Sequence, residues 1–99
     1  MVHFTRSAEI APGKLGEALA FAHKVAQHMH DVHGSTLLLL VPVGGNPSRI
    51  AWHSTYEDLA HYELLTNKLH ADSAYQNLVA EAGPLFNAGS VHDEIWRTI

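Results

Sequence analysis

The longest unbroken apolar run in the chain, residues 36–43 (TLLLLVPV), constrains the fold more than any other feature. It is apolar at both even and odd positions, so as a strand it must be covered on both faces. Gly34 before it, Gly44-Gly45-Asn46-Pro47 after it and Pro42 within it argue against a buried helix. Its length of about eight residues suits a strand. A chain of 99 residues makes one domain with one core, residues 1–99. Its helices can cover only one face of a sheet, and the second face of this strand needs another cover.

Composition narrows the function classes. Hydrophobic residues make up 46% and charged residues 16%, which predicts a folded globular chain. A formal net charge of -4 argues against nucleic acid as a partner. Nine histidines against six Lys and Arg make the charge sensitive to pH between about 5 and 7. With no cysteine, disulfides, thiolate chemistry and zinc-thiolate sites are excluded. No signal-peptide pattern is visible, and no apolar run approaches the roughly 20 residues of a membrane span. The expectation is a cytoplasmic protein with no membrane partner.

Along the chain, Val2, Phe4, Ala8 and Ile10 share one parity in residues 2–10, a strand with one apolar face interrupted by Arg6. Arg6 is read as a twist, a bulge or a snorkelling side chain in preference to a ligand contact. After Pro12-Gly13 a helix is predicted over 14–33, its buried stripe running through Leu15, Leu19, Ala22, Val25 or Ala26, Met29 and Val32, with Gly34 as its C-cap. His23, His30 and His33 could be mistaken for a metal cluster. They read as solvated helix-face residues, and no metal site is expected.

The 36–43 strand and a strand over 49–55 form a hairpin across the Gly-Gly-Asn-Pro connection. A second helix is predicted from Ser54 or Thr55 to about Ala71, with Thr55 as N-cap and Leu59, Tyr62, Leu65 and Leu69 as its stripe. A short helix over 73–81 is capped by Asp72 or Ser73. Gly83-Pro84 ends it, and a last strand covers 91–99.

The order is α+β, βαββαβ, with a short extra helix before the last strand. Two right-handed crossovers joined by a hairpin give a ferredoxin-like split sheet in spatial order 4-1-3-2. The most apolar strand then falls at an edge, an aggregation hazard unless a partner covers it. A homodimer packed face to face, each second strand closing a shared barrel, is the simplest cover.

Three stretches carry a family resemblance: Ile10-Ala11-Pro12-Gly13-Lys14, then Trp52-His53-Ser54-Thr55-Tyr56-Glu57-Asp58-Leu59-Ala60, then Ala71-Asp72-Ser73-Ala74-Tyr75-Gln76. On these the chain resembles the dimeric α+β barrel superfamily, nearest to its NIPSNAP-like and antibiotic-biosynthesis-monooxygenase-like members. The resemblance implies a dimeric α+β barrel. Relatives include cofactor-free monooxygenases of polycyclic aromatic substrates, haem-degrading enzymes and lactone isomerases. The haem degraders imply an Asn, a Trp and a helical His in the pocket. Trp52 or Trp96 and several helical histidines align loosely with the last two, and no Asn falls in a strand.

In such a barrel the sheet face away from the helices lines the interior. That face holds His3, Thr5 and Ser7, then Arg49 and His53, then His92, Glu94 and Trp96. His53, His3 and His92 are the candidate catalytic bases. Arg49, Glu94, Trp96 and Thr5 are the candidate ligand contacts, Trp96 as an aromatic wall and Arg49 as an anion clamp. The competing reading has these groups hydrogen-bonding within a dimer interface or facing solvent-filled space. No dinucleotide, P-loop or nucleophile-elbow motif is present, and no cofactor is expected. The functional expectation is a small dimer with a hydrophobic ligand pocket. The alternative is a cofactor-independent monooxygenase or isomerase acting on a small aromatic substrate.

Overall fold

The computed structural model describes all residues from Met1 to Ile99. Strand β1 (Val2–Glu9) is followed by helix α1 (Leu15–His33), β2 (Leu38–Leu40), β3 (Arg49–Tyr56), α2 (Leu59–His70), α3 (Ser73–Ala80), a 3₁₀ turn (Gly83–Leu85) and β4 (His92–Arg97). The four strands form one antiparallel sheet in the order β2-β3-β1-β4, the ferredoxin-like arrangement. β1 is flanked on both sides: Val2 lies opposite Tyr56 and Arg97, and Ser7 opposite Ala51 and His92.

The expected barrel is not formed. β2 and β4 are the two edges of an open sheet and do not pair with one another. The physical reason lies in the 36–43 run itself. Only Leu38, Leu39 and Leu40 join the ladder, against His53, Trp52 and Ala51. Pro42 has no N–H to give to a ladder, and pairing stops before it. Beyond it the chain turns outward, with Val41 61% and Val43 fully exposed.

Alternation along β1 and β3 places Val2, Ala8, Ile50, Trp52, Ser54 and Tyr56 under the helices, all buried. α1 answers with Ala18, Phe21, Ala22, Val25 and Met29, a stripe at helical spacing. Leu15 and Val32, expected on that stripe, are more than half exposed. Gly34 ends α1 at φ 63°, where a side chain would be strained. Its N–H reaches the His30 carbonyl, and that of Ser35 reaches Met29, closing the helix.

α2 begins later than its sequence suggests. β3 continues through Tyr56, which pairs with Val2, and Asp58 is the N-cap, its carboxylate accepting from the His61 N–H at 2.8 Å. Asp72 caps α3 in the same way through the Tyr75 N–H at 3.0 Å. No helix is long and apolar enough to cross a membrane.

Candidate functional site

The helices do not fill all the space above the sheet. A cavity of about 390 Å³ remains between the helix-side face of β1 and β3 and the aromatic residues of α2 and α3, and 15 of its 20 lining residues are hydrophobic. That size and character suit a small, largely apolar molecule. Phe4, Trp52 and Tyr56 line it from the sheet, and Tyr62 and Tyr75 line it from α2 and α3. The rings meet at angles: Tyr56 and Tyr62 at 77° with centroids 5.4 Å apart, Trp52 and Phe86 at 64° and 5.9 Å. Such edge-on contacts hold the walls in fixed orientations.

A few polar groups interrupt this lining. Trp52 is 7% exposed, and its indole Nε1–H is the one buried side-chain polar atom with no hydrogen-bond partner. Leaving a donor in that state costs about 1–3 kcal/mol. Ser54 Oγ donates to the Tyr56 hydroxyl oxygen at 3.0 Å, which leaves the phenol proton available. Burial pushes the Tyr56 and Tyr75 phenols above their ordinary pKa, so both stay protonated at neutral pH.

Arg6 also lines the cavity. Its guanidinium grips Asp93 through Nε at 2.7 Å and Nη2 at 2.8 Å, across the β1–β4 register. The hydrogen bond to Asp93 raises the Arg6 pKa, and the Arg6 guanidinium holds the Asp93 carboxyl below the usual carboxylate range. Arg6 is thus a fixed, already paired cation at the cavity edge, and its place in the apolar strand face is occupied by an ion pair, with no bulge in the β1 register.

The residues singled out from the sequence gather on the other face of the sheet. His3 and His53 stack at 5.6 Å with rings 8° from parallel, and His3 Nε2 lies 2.7 Å from Thr98 Oγ1. Thr5 sits between His53 and Glu94 in register. Glu94 accepts from Trp96 Nε1 at 3.0 Å and lies 3.2 Å from His92 Nε2. Arg49 Nη2 donates to Ser7 Oγ at 3.2 Å and borders a smaller recess of about 230 Å³ beside the β2–β3 hairpin. None of these seven residues lines the larger cavity.

Sequence reasoning passed over Trp52 and Tyr56 because apolar parity marks a core and a cavity wall alike, and it set the ligand contact of Arg6 aside in favour of a local distortion or a snorkelling side chain. The available signal was a charge, Arg6, on the same strand face and in register with Trp52. Outside the cavity, His28, His33 and Asp72 bring three metal-ligating atoms within 4.8 Å of one another.

No protein-family model matches the chain, and no curated protein matches it. Solved structures do. An uncharacterized NIPSNAP domain protein from Burkholderia xenovorans is similar over 100% of this chain and 95% of its own, with TM-score 0.84 and 17% identity. A NIPSNAP family protein from Agrobacterium tumefaciens is similar over 99% of this chain and 85% of its own, with TM-score 0.78 and 18% identity. A candidate antibiotic biosynthesis monooxygenase from Deinococcus radiodurans is similar over 99% of this chain and 92% of its own, with TM-score 0.75 and 11% identity. The chain is therefore a small α+β protein with the fold of these NIPSNAP-domain and monooxygenase-like structures.

Proposed function

We propose that the chain binds a flat, mostly apolar molecule carrying a carbonyl or quinone oxygen, in the cavity between sheet and helices. The observation that carries this reading is the largely apolar, aromatic-rich cavity, one of whose lining residues, Trp52, holds a buried and unpartnered Nε1–H that a small shift of the ring would turn to a ligand. A buried donor without a partner is rare, and a ligand acceptor is the simplest group to complete it. The protonated phenols of Tyr56 and Tyr75 offer further donors, and the surrounding rings select for flatness. The test is calorimetric binding of 1,4-naphthoquinone against naphthalene, to wild type and Trp52→Phe. The quinone should bind wild type more tightly, and the preference should shrink in the variant. Equal binding of the two probes to wild type, or binding of neither, would sink the reading.

The fold shared with the candidate monooxygenase supports a second reading, a cofactor-free oxygenase. An electron-rich phenol would supply the electrons: one atom of O₂ enters the ring as the quinone oxygen and the other leaves as water. Trp52 would polarise the oxygen on which negative charge develops. Oxygen uptake with 1-naphthol, abolished in Trp52→Phe, is the corresponding assay. Absence of uptake with phenolic probes that bind would leave a binding protein.

The polar outer face belongs to a different part of this reading, that of a cytoplasmic homodimer. Leu38, Leu40 and Trp96 expose 51%, 43% and 62% of their surface on or beside the face that holds His3, Thr5, His53 and Glu94. A second copy seated there would bury these side chains and shield the stacked histidines. Sedimentation at micromolar concentration tests it, and a concentration-independent monomer refutes it.

A further inference from the structure

We propose that His28, His33 and Asp72 form a binding site for one divalent transition-metal ion of the zinc class, clipping the end of α1 to the α2–α3 junction. Nothing in the cavity reading requires this site, and the two can fail separately.

Three features carry the inference. The first is convergence. His28 Nε2 and His33 Nε2 lie 2.7 Å and 2.8 Å from the same oxygen, Asp72 Oδ2, and the two rings are 5.9 Å apart. Two imidazoles aimed at one carboxylate oxygen make an N,N,O donor set, which suits zinc, cobalt or nickel. In a tetrahedral site with bonds of about 2.0–2.2 Å, neighbouring ligand atoms stand about 3.3 Å apart. To reach that spacing Asp72 Oδ2 retreats about 0.5 Å from each Nε2, and the two nitrogens, already within 4.8 Å of one another, settle about 3.3 Å apart through side-chain rotation.

The second is shelter. The side chains of His28, His33 and Asp72 are 16%, 8% and 12% exposed, whereas His30 is 71% exposed. Rotamer freedom in the three ligands is already lost before an ion arrives. The third is support from outside the ligand set. Asp72 Oδ1 accepts the Tyr75 N–H at 3.0 Å, so the carboxylate is oriented by the start of α3 and keeps Oδ2 for the ion. The His28 ring also lies beside the Tyr75 ring, at 6.2 Å.

On binding, each neutral imidazole carries its proton on Nδ1 and gives the Nε2 lone pair to the metal, while Asp72 binds as carboxylate. Three protein ligands leave a position for water. The ion would tie α1, through residues 28 and 33, to the loop between α2 and α3. It would thereby fix Tyr75, Met29 and Gln76, which also line the cavity.

The experiment is titration of chelator-treated protein with zinc by calorimetry and with cobalt by visible absorption. Four proteins are compared: wild type, Asp72→Asn, His33→Gln, and the double control His23→Gln/His30→Gln, whose histidines are exposed. Wild type and control should bind one equivalent, with a visible cobalt band and a thermal midpoint that rises with zinc. Asp72→Asn and His33→Gln should lose the band and bind at least about tenfold more weakly, since even outer-shell losses weaken metal sites about 10–100-fold. Asparagine caps helices as well as aspartate, so Asp72→Asn carries the test should His33→Gln fail to fold. The proposal is overturned if wild type binds no zinc, or if affinity survives in Asp72→Asn and falls instead in the exposed-histidine control.

Discussion

Replacing Trp52 by phenylalanine separates stability from binding. Trp52 lies 7% exposed with its Nε1–H unpartnered, and it packs edge-on against Phe86. Phenylalanine removes the unsatisfied donor, a gain of about 1–3 kcal/mol. It also removes part of a buried aromatic ring. Full truncation to alanine costs about 3–5 kcal/mol, and the partial loss here about 1–2 kcal/mol, because a six-membered ring still reaches Phe86. The two effects nearly cancel. Trp52→Phe is expected within about 1 kcal/mol of wild type in urea denaturation followed by far-UV circular dichroism, at fixed protein concentration and unchanged m-value. Trp52→Ala should lose about 3–5 kcal/mol. Binding of a quinone probe should weaken about tenfold in Trp52→Phe, the worth of one hydrogen bond near 1.4 kcal/mol. A loss of stability above about 3 kcal/mol in the phenylalanine variant would mean that the indole N–H is satisfied in solution. That result, with unchanged quinone affinity, would refute the role given to Trp52.

Other consequences can be checked independently. Asp93 has its carboxyl pKa depressed by Arg6, so the stability it adds is present above the ordinary carboxylate range and is lost as pH falls through the depressed value. Both partners are about two-fifths exposed, so Asp93→Asn should cost only about 0.5–1 kcal/mol at pH 7, and that cost should shrink as pH falls through the depressed value, by denaturation across pH. Asp58→Ala removes the α2 cap and should cost about 1 kcal/mol, with Asp58→Asn restoring most of it in the same assay. On the homodimer proposed above, Leu40→Lys puts a charge on the exposed outer face of β2 and should shift the sedimentation coefficient to that of a monomer at micromolar concentration.

The sheet order was legible because two crossovers and a hairpin leave few topologies, and period-two alternation fixed which side of β1 and β3 faces the helices. Barrel closure was expected from the sequence and is absent from the structure. The apolar run suggested a full strand, but ladder pairing needs N–H groups and a straight path, and the chain leaves the sheet after Leu40. Thr55 looked like a helix cap because threonine caps helices in general, yet its neighbour Tyr56 had a buried place opposite Val2. The polar face drew attention because histidines and a glutamate alternate there, whereas the cavity is walled by residues indistinguishable from core in a single sequence. The histidine–aspartate cluster was hidden for another reason. His28 and His33 are five apart, about 140° around a helix, outside the usual three- and four-residue spacings, and Asp72 is 39 residues beyond His33.

The position of β1 between its two neighbours has a consequence for synthesis. Val2 pairs with Tyr56 on one edge and with Arg97 on the other. During translation at about 5–20 residues per second, β1 therefore waits roughly 5–20 s for β4 to emerge, its second edge open to any passing strand. α1 closes its own backbone bonds long before that, and its buried stripe can shelter the inner face of β1 in the meantime. The unprotected interval falls on the rim of β1 that β4 later occupies. A nascent chain stalled before residue 92 should thus be the form most readily captured by chaperones and most prone to strand exchange.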